Sequence, residues 1–573
     1  MKLIKGLPAA AGLAIGPVFQ IKAQPVRVDE SPALDPAGEW GRLLAALEVA
    51  RMQLGDIAAK VREEVGSNEA GVFEAQSLML ADPDLLASIR EKIENQRENA
   101  IAALTESAGG YVRALESLGD AYFRERAADV ADVVQRVTSI LRGERMDPAY
   151  GLAAPSIVVG DDLTPSQTVM LDKSLVLALC TARGGMLSHT AILARSLGLP
   201  AVVGCGATIL ECKPGTNLAL DGGTGEVWID PDAEIVAGLE AKRRLADEKR
   251  RIVHSLRHEP SVTRDGKGVE VLANIGNVED ARVAMDAGAE GVGLLRTEFL
   301  YLGTERPPAE EDQVAAYRAI IDVFRGLPVV LRTLDIGGDK GLPYLDLAPE
   351  ANPFLGVRGI RLCLARPDIF RPQLRAALRV AENGNLRIMF PMVATLGEVR
   401  TARRVLQQCA AELRSEGHSI AAGINVGIMI ETPAAAMIAD QLAGEVDFFS
   451  IGTNDLSQYA LAADRTNPAT GELASAFQPS VLRLIARVVE AAHSRGKRVA
   501  VCGELGGEPL AIPILIGLGV DELSMNAPAI PSAKQILRSL ELADMREAAV
   551  RALEAESPDD VQALVRQRFP IIV

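Results

Sequence analysis

One histidine in this chain sits where a histidine can carry an anion. In GGMLSHTAILARSLGLP, residues 184–200, His189 lies between a glycine pair and a short apolar stretch. The spacing predicts a helix of about two turns, opened by Ser188 as N-cap and stopped by Gly198 and Pro200. Gly184 and Gly185 let the backbone approach an anion closely. The free N–H groups and positive dipole end of the helix favour negative charge beside the ring. An imidazole so placed suits a phosphoryl group, the plain alternative being a surface histidine next to a capped turn. The other histidines have no such context. His254 and His258 stand four apart in a charged, helix-prone stretch with no acidic or cysteine partner in register for a metal. His418 in SEGHS and His493 in AAHSRGK read as exposed loop and helix-end residues.

A second set of polar residues follows apolar runs of strand length. Arg296 follows GVGLL, Arg332 closes PVVLR, Glu431 follows NVGIMI, Asn454 and Asp455 follow DFFSIGT, and Cys502 ends RVAVC, with Arg358 and Arg465 on nearby connections. Taken singly, each could be a helix cap or a surface ion pair. Together they suit an anion with several oxygens plus a hard divalent cation. Guanidinium forks pair with phosphate or carboxylate, and Glu and Asp oxygens hold a magnesium-like ion that keeps positions for substrate. Cys502 alone reads as a small buried hydrophobe, but GELGGEP after it opens a loop through which the thiol could reach a substrate carbon and exchange a proton.

These residues need elements to hold them. From 269 onward the runs VEVLA, GVGLL, PVVLRT, LRIMFP, NVGIMI, DFFSI, RVAVC and VDELS alternate with helix-like segments. Eight such alternations favour a closed (β/α)8 TIM-type barrel, whose chemistry sits at the C-terminal ends of its strands, over an open doubly wound sheet. Upstream, SIVVGDDL, SLVLALCT, PAVVGC and NLALDGGTGEVWID read as short buried strands around His189, with residues 1–25 adding a first strand. Between them, Trp40, Leu44, Leu47, Leu54, Ile57, Val61 and Val65 recur at helical spacing, and helical composition continues to residue 144 with expected breaks at Asp82-Pro83 and Gly109-Gly110. The expected organisation is an α/β multidomain chain. A β/α domain of residues 1–25 and 146–230 is interrupted by an α-helical bundle, 26–145. A charged linker helix, 231–262, then leads to the barrel, 263–573.

Composition narrows the partners. A net charge of −16 argues against nucleic acid and anionic membranes, both of which need clustered cations. The N-terminal stretch is broken by Pro8, Gly12 and Gly16 before it could span a bilayer. The six cysteines form no C-x-x-C pair and mostly lie in apolar runs, which suits reduced thiols; the expectation is a cytoplasmic protein without membrane insertion.

GGMLSHTAILARSLGLPAVVG, GLLRTEFLYL, LRTLDIGGDK, NPFLGVRGIRLCL, FSIGTNDLSQYALAADR and VAVCGEL together resemble enzyme I of the bacterial sugar phosphotransferase system, the phosphoenolpyruvate-protein phosphotransferases, from near the N-terminus past residue 525. The resemblance implies a swivelling phosphohistidine domain in which His189 accepts the phosphoryl group of phosphoenolpyruvate while Thr168 hydrogen-bonds the imidazole. It further implies substrate binding by Arg296, Arg332, Asn454, Asp455 and Arg465, supported by Arg358. Mg2+ would be held by Glu431 and Asp455, and Cys502 would donate a proton to the enolate. The implied partners are the phosphocarrier HPr, docked on the helical bundle, and a second copy of the chain, joined through the barrel. Two departures stand out. Met186 and Leu187 replace more polar residues before Ser-His, and Gln76 replaces a histidine common in the bundle. Pyruvate phosphate dikinase and phosphoenolpyruvate synthase share the histidine and barrel modules, but they add a nucleotide-binding domain for which this chain has no room. The alternatives from other classes are a magnesium-dependent barrel lyase or aldolase acting on pyruvate-like acids, and a regulatory scaffold without chemistry.

Overall fold

A computed structural model describes the whole chain except residues 22–31, 65–66, 118–120, 145–151, 187, 303, 338–341, 343, 346–349, 382–384, 422, 466, 468–469 and 573. It divides into two compact units, Met1–Asp247 and Glu248–Val573.

The first unit begins with three short strands where one is expected: β1 (Lys2–Lys5), β2 (Leu7–Ala10) and β3 (Leu13–Gln20). Gly6 and the Ala11-Gly12 step punctuate the apolar run, so the chain changes partner at each. After the helices come β4 (Ser156–Gly160), β5 (Val176–Thr181), β6 (Ala201–Val203), β7 (Asn217–Asp221) and β8 (Glu226–Ile229), completing an eight-stranded sheet ordered β1-β8-β7-β3-β4-β5-β6-β2. Its central strands are apolar throughout because both faces are covered. Ile157 and Val159 of β4 pack into one apolar cluster and Val158 into another.

Five helices are inserted between β3 and β4: α1 (Pro36–Glu64), α2 (Ser67–Met79), α3 (Pro83–Asn95), α4 (Ala100–Ser117) and α5 (Ala121–Leu141). The expected break at Asp82-Pro83 is present, with the Asp82 carboxylate accepting from the N–H groups of Asp84 and Leu85. The expected break at Gly109-Gly110 is not. Both glycines lie inside α4, because packing against α5 outweighs a helix-propensity cost of about 1 kcal/mol for each glycine. The stripe of α1 read from the sequence is largely the buried one, with Leu47, Leu54 and Val61 buried and Trp40 and Ile57 packed against the same core, but Leu44 faces outward, and Leu43 and Ala50 are buried as well. Val65 lies outside the described residues. Beyond β4 the unit adds α6 (Pro165–Met170) and α7 (His189–Leu197). The charged stretch forms α8 (Ala233–Ser255), within which the boundary between the units falls; the His254 side chain is outside the described residues.

The second unit is a closed barrel. Its strands β9 (Glu270–Ile275), β10 (Val292–Leu295), β11 (Val329–Arg332), β12 (Leu386–Phe390), β13 (Asn425–Ile430), β14 (Phe448–Ile451), β15 (Arg498–Val501) and β16 (Glu522–Met525) pair in parallel, and β16 closes on β9. Each apolar run of the sequence supplies one strand. Leu294, Val330, Met389, Met429, Phe448 and Cys502 form an apolar cluster of their own, separate from the larger core between strands and helices. Gly427 shows how tight the strand contacts are, since a Cβ there would lie 2.4 Å from the ring of Phe448 on the neighbouring strand.

Candidate active site

The strand ends gather the barrel residues into one cleft of about 230 Å3. It is lined by Arg296, Arg332, Arg358, Glu431, Asn454, Asp455, Arg465 and Cys502, together with Asp335, Glu504, Leu294, Met429, Gly452 and Gly503. Every barrel residue singled out from the sequence is therefore on this wall. The reason is topological. In parallel strands with the same handedness of crossover, the residue following each strand emerges at the same mouth.

Charges in the cleft alternate. Arg332 Nη2 lies 3.1 Å from Glu298 Oε1, and its Nη1 lies 2.9 Å from Asp335 Oδ2. Asp335 in turn accepts from Arg358 Nε and Nη2, both at 3.1 Å, while Arg358 Nη1 donates to Asp455 Oδ1 at 2.9 Å. Glu298 Oε1 also accepts the backbone N–H of Asp335 at 3.0 Å. All five groups are buried. Arg296 and Arg465, by contrast, are exposed, and among the described residues neither forms an ion pair. Asn454 is fixed by reciprocal bonds with Glu504: its Nδ2 donates to Oε1, and its Oδ1 accepts from the Glu504 N–H, both at 3.1 Å.

Glu431 is 1 % exposed and accepts from the Met392 N–H at 2.6 Å. Burial, followed by the neighbouring carboxylates of Asp455 and Asp335, raises its pKa to about 8 against the pull of Arg332 and Arg358. Such a carboxyl has too little positive charge around it. A hard divalent cation shared with Asp455 would relieve that, and two carboxylates leave positions for water and substrate oxygens, as Mg2+ prefers. Among the described residues no group of three or more His, Cys, Asp or Glu side chains is disposed to hold a metal.

Cys502 is 3 % exposed, and its pKa is raised to about 11, chiefly by burial. At neutral pH it is a thiol that carries a proton to give. Its Sγ lies 3.7 Å from the Ile451 carbonyl, and its own carbonyl accepts from Asn274 Nδ2 at 2.9 Å. Glu298, Asp335, Asn274 and Glu504 were missed in the sequence reading. Glu298 and Asp335 stand two and three residues beyond Arg296 and Arg332, in RTE and RTLD, so a search for carboxylates just past each strand-end arginine would have found them.

His189 is in the first unit. Ser188 caps α7, its Oγ accepting from the Ala191 N–H at 3.4 Å, and Gly198 ends the helix in the left-handed conformation. Gly184 holds φ at +103°, which a side chain would strain. Arg195 ties the loop down through the carbonyls of Ala9 and Met186, at 3.0 and 2.9 Å. Met186 itself is half exposed, and Leu187 lies outside the described residues. Thr168 is buried, with its hydroxyl donating to the Thr164 carbonyl at 3.1 Å; among the described residues no hydrogen bond joins it to His189. Burial raises the Asp129 carboxyl, and His189 is the first of the groups opposing that rise, ahead of Gln76 and Arg126. Gln76 is fully buried, its Nε2 donating to Asp129 and Asp132 at 3.3 and 3.4 Å.

Three family models match the chain. Residues 5–126 match the PEP-utilising enzyme N-terminal model, 152–225 the mobile-domain model and 250–542 the PEP-binding-domain model. The chain is 43 % identical over 566 residues to the phosphoenolpyruvate-protein phosphotransferase of Staphylococcus carnosus, covering 99 % of each chain. It is 44 % identical over 570 residues to those of Geobacillus stearothermophilus and Priestia megaterium, covering 100 % of this chain and 99 % and 100 % of theirs. The chain belongs to the phosphoenolpyruvate-protein phosphotransferase family. Among the described residues, no helix is long and apolar enough to cross a membrane.

Proposed function

We propose that the chain moves the phosphoryl group of phosphoenolpyruvate onto His189 and from there to a histidine of HPr, releasing pyruvate, as the first step of the sugar phosphotransferase system. The carrying observation is the convergence of Arg296, Arg332, Arg465, Asn454, Glu431, Asp455 and Cys502 on one cleft, in a chain whose family is named for this donor and this type of transfer. The exposed guanidiniums of Arg296 and Arg465 receive the substrate's anionic groups, and the buried Arg332, supported by Arg358, orients them. Glu431 and Asp455 would hold Mg2+, which supplies charge stabilisation at the phosphoryl oxygens. An imidazole nitrogen of His189 attacks phosphorus in line, and the bond from phosphorus to the enolate oxygen breaks. Cys502 then gives its proton to C3 of the enolate, which becomes the methyl group of pyruvate.

Thr168, whose hydroxyl donates to the Thr164 carbonyl, would have to turn it toward His189 to support the ring during transfer, and the start of α7 offers free N–H groups to the phosphoryl oxygens. Residues 1–25 with 146–230 act as the mobile phosphohistidine domain, 26–145 as the HPr-docking bundle, 231–262 as the linker and 263–573 as the substrate-binding and dimerising barrel, in the cytoplasm. The test is incubation of the purified protein with labelled phosphoenolpyruvate and Mg2+. Acid-labile label on the protein that is transferable to HPr, and its loss in His189→Ala, are expected. An unlabelled protein, or equal labelling of His189→Ala, overturns the reading.

A further inference from the structure

The alternating ladder Glu298, Arg332, Asp335, Arg358, Asp455 contains two carboxylates for which the proposed reaction has no use. Glu298 and Asp335 are each 4 % exposed and bind neither substrate nor cation in that reading. Burying them is expensive unless they do something for their partners. We propose that Asp335, anchored by Glu298, is a positioning residue that couples cation binding at Asp455 to substrate binding at Arg332 and Arg358. This inference rests on the reading of the cleft given above.

The argument is geometric. Asp335 is shared between two guanidiniums, its Oδ2 forming an ion pair with Nη1 of Arg332 and its two oxygens accepting from Nε and Nη2 of Arg358. It cannot shift to suit one arginine without moving the other. Its backbone is pinned as well, because its N–H donates to the same Glu298 oxygen that accepts from Arg332. The far edge of Arg358 meanwhile lies on both oxygens of Asp455, at 2.9 and 3.4 Å. Among the described residues that guanidinium is the one that forms an ion pair with Asp455.

Asp455 could hold a divalent cation only by loosening its pairing with Arg358, which would otherwise occupy both of its oxygens. With its hold on Asp455 weakened, Arg358 keeps its Nε edge on Asp335 and turns free Nη hydrogens to the cleft, where a substrate anion accepts them. The same Asp335 carboxylate keeps Arg332 in register. Cation and substrate therefore favour each other, and by linkage the effect is mutual. Without the Asp335 charge, Arg358 has Asp455 as its one carboxylate partner among the described residues, so the cation has to displace it outright, and the part of the cooperation that runs through the arginines is lost while direct contact between cation and substrate remains.

The experiment measures phosphoenolpyruvate binding by calorimetry in the full chain carrying His189→Ala, which prevents phosphorylation, with and without Mg2+. The readout is the ratio of the two dissociation constants, which a general loss of stability does not change. With Asp335 intact the ratio is expected to be about tenfold or more, within the usual range of coupling between sites. Adding Asp335→Asn is expected to bring it to about threefold or less. Glu298→Gln keeps an acceptor for the Asp335 N–H but removes the charge; it is expected to lower the ratio too and serves if Asp335→Asn does not fold. A ratio unchanged in a folded variant, with both constants weakened alike, overturns the coupling role and leaves the reading of the cleft intact. If the His189→Ala protein binds no phosphoenolpyruvate under either condition, the reading of the cleft itself falls, and the coupling role with it.

Discussion

Glu431 gives the sharpest test of the cleft's electrostatics. Its pKa is raised from an ordinary 4.5 to about 8, so at pH 6 only about one molecule in a hundred carries the ionised carboxylate and at pH 7 about one in ten. A cation that needs that carboxylate must first displace its proton. Each pH unit below 8 therefore costs about 1.4 kcal/mol of binding, and Mg2+ should bind roughly two orders of magnitude more weakly at pH 6 than at pH 8.5. The measurement is isothermal titration of the full chain with Mg2+ at pH 6, 7 and 8.5 in buffers of different ionisation enthalpy, which counts the protons released. About one proton per cation is expected at pH 6 to 7 and much less at 8.5. Glu431→Gln should bind weakly and lose the slope. The same shift acts on stability in the absence of the cation: because the folded state holds the proton more tightly than the unfolded state, the contribution is fully present below about pH 4.5 and is lost as pH rises to about 8. Affinity independent of pH between 6 and 8, or a slope that survives in Glu431→Gln, would refute the assignment of Glu431 as the buried ligand.

Two further outcomes follow from named contacts. The Cys502 thiol, raised to about 11, should be alkylated by iodoacetamide at a rate that keeps rising about tenfold per pH unit from 8 to 10, followed by peptide mass mapping; a plateau near pH 9 would show an ordinary thiol and remove the case for a standing proton donor. Gly503→Ala places a Cβ about 2.0 Å from Thr453 Oγ1 and 2.6 Å from the Thr453 N–H, at the start of the helix Thr453–Leu461 that carries Asn454 and Asp455. Phosphorylation from phosphoenolpyruvate should fall about a hundredfold, as a misplacement of about 1 Å allows, while the far-ultraviolet circular dichroism stays unchanged; near-normal activity would mean the loop yields easily.

How much could be read in advance depended on how local the cause was. The barrel was legible because each strand, buried against neighbours on both sides, needs its own apolar run, and VEVLA through VDELS each supplied one. The Ser188 cap and the Gly198 stop were legible for the same reason: a helix end is satisfied by residues next to it. The uninterrupted α4 and the outward Leu44 were not, since packing against neighbouring helices set the outcome there and intrinsic propensity did not. Glu298 and Asp335 were passed over because a carboxylate in RTE or RTLD looks like any other until its burial and partners are known.

The chain of residues alone determined which chemical groups were present and that they follow strands: an imidazole at a helix start, arginines, carboxylates and a thiol at the ends of apolar runs. It did so because hydrophobic period and capping are properties of neighbours in sequence. Only the closed barrel decided which of those groups share one dielectric and one set of ion pairs. Arg332 and Arg358 become a clamped pair, and Glu431 a carboxyl that holds its proton, because residues as far apart as Arg358 and Asp455, 97 positions, are brought within hydrogen-bond reach among buried side chains.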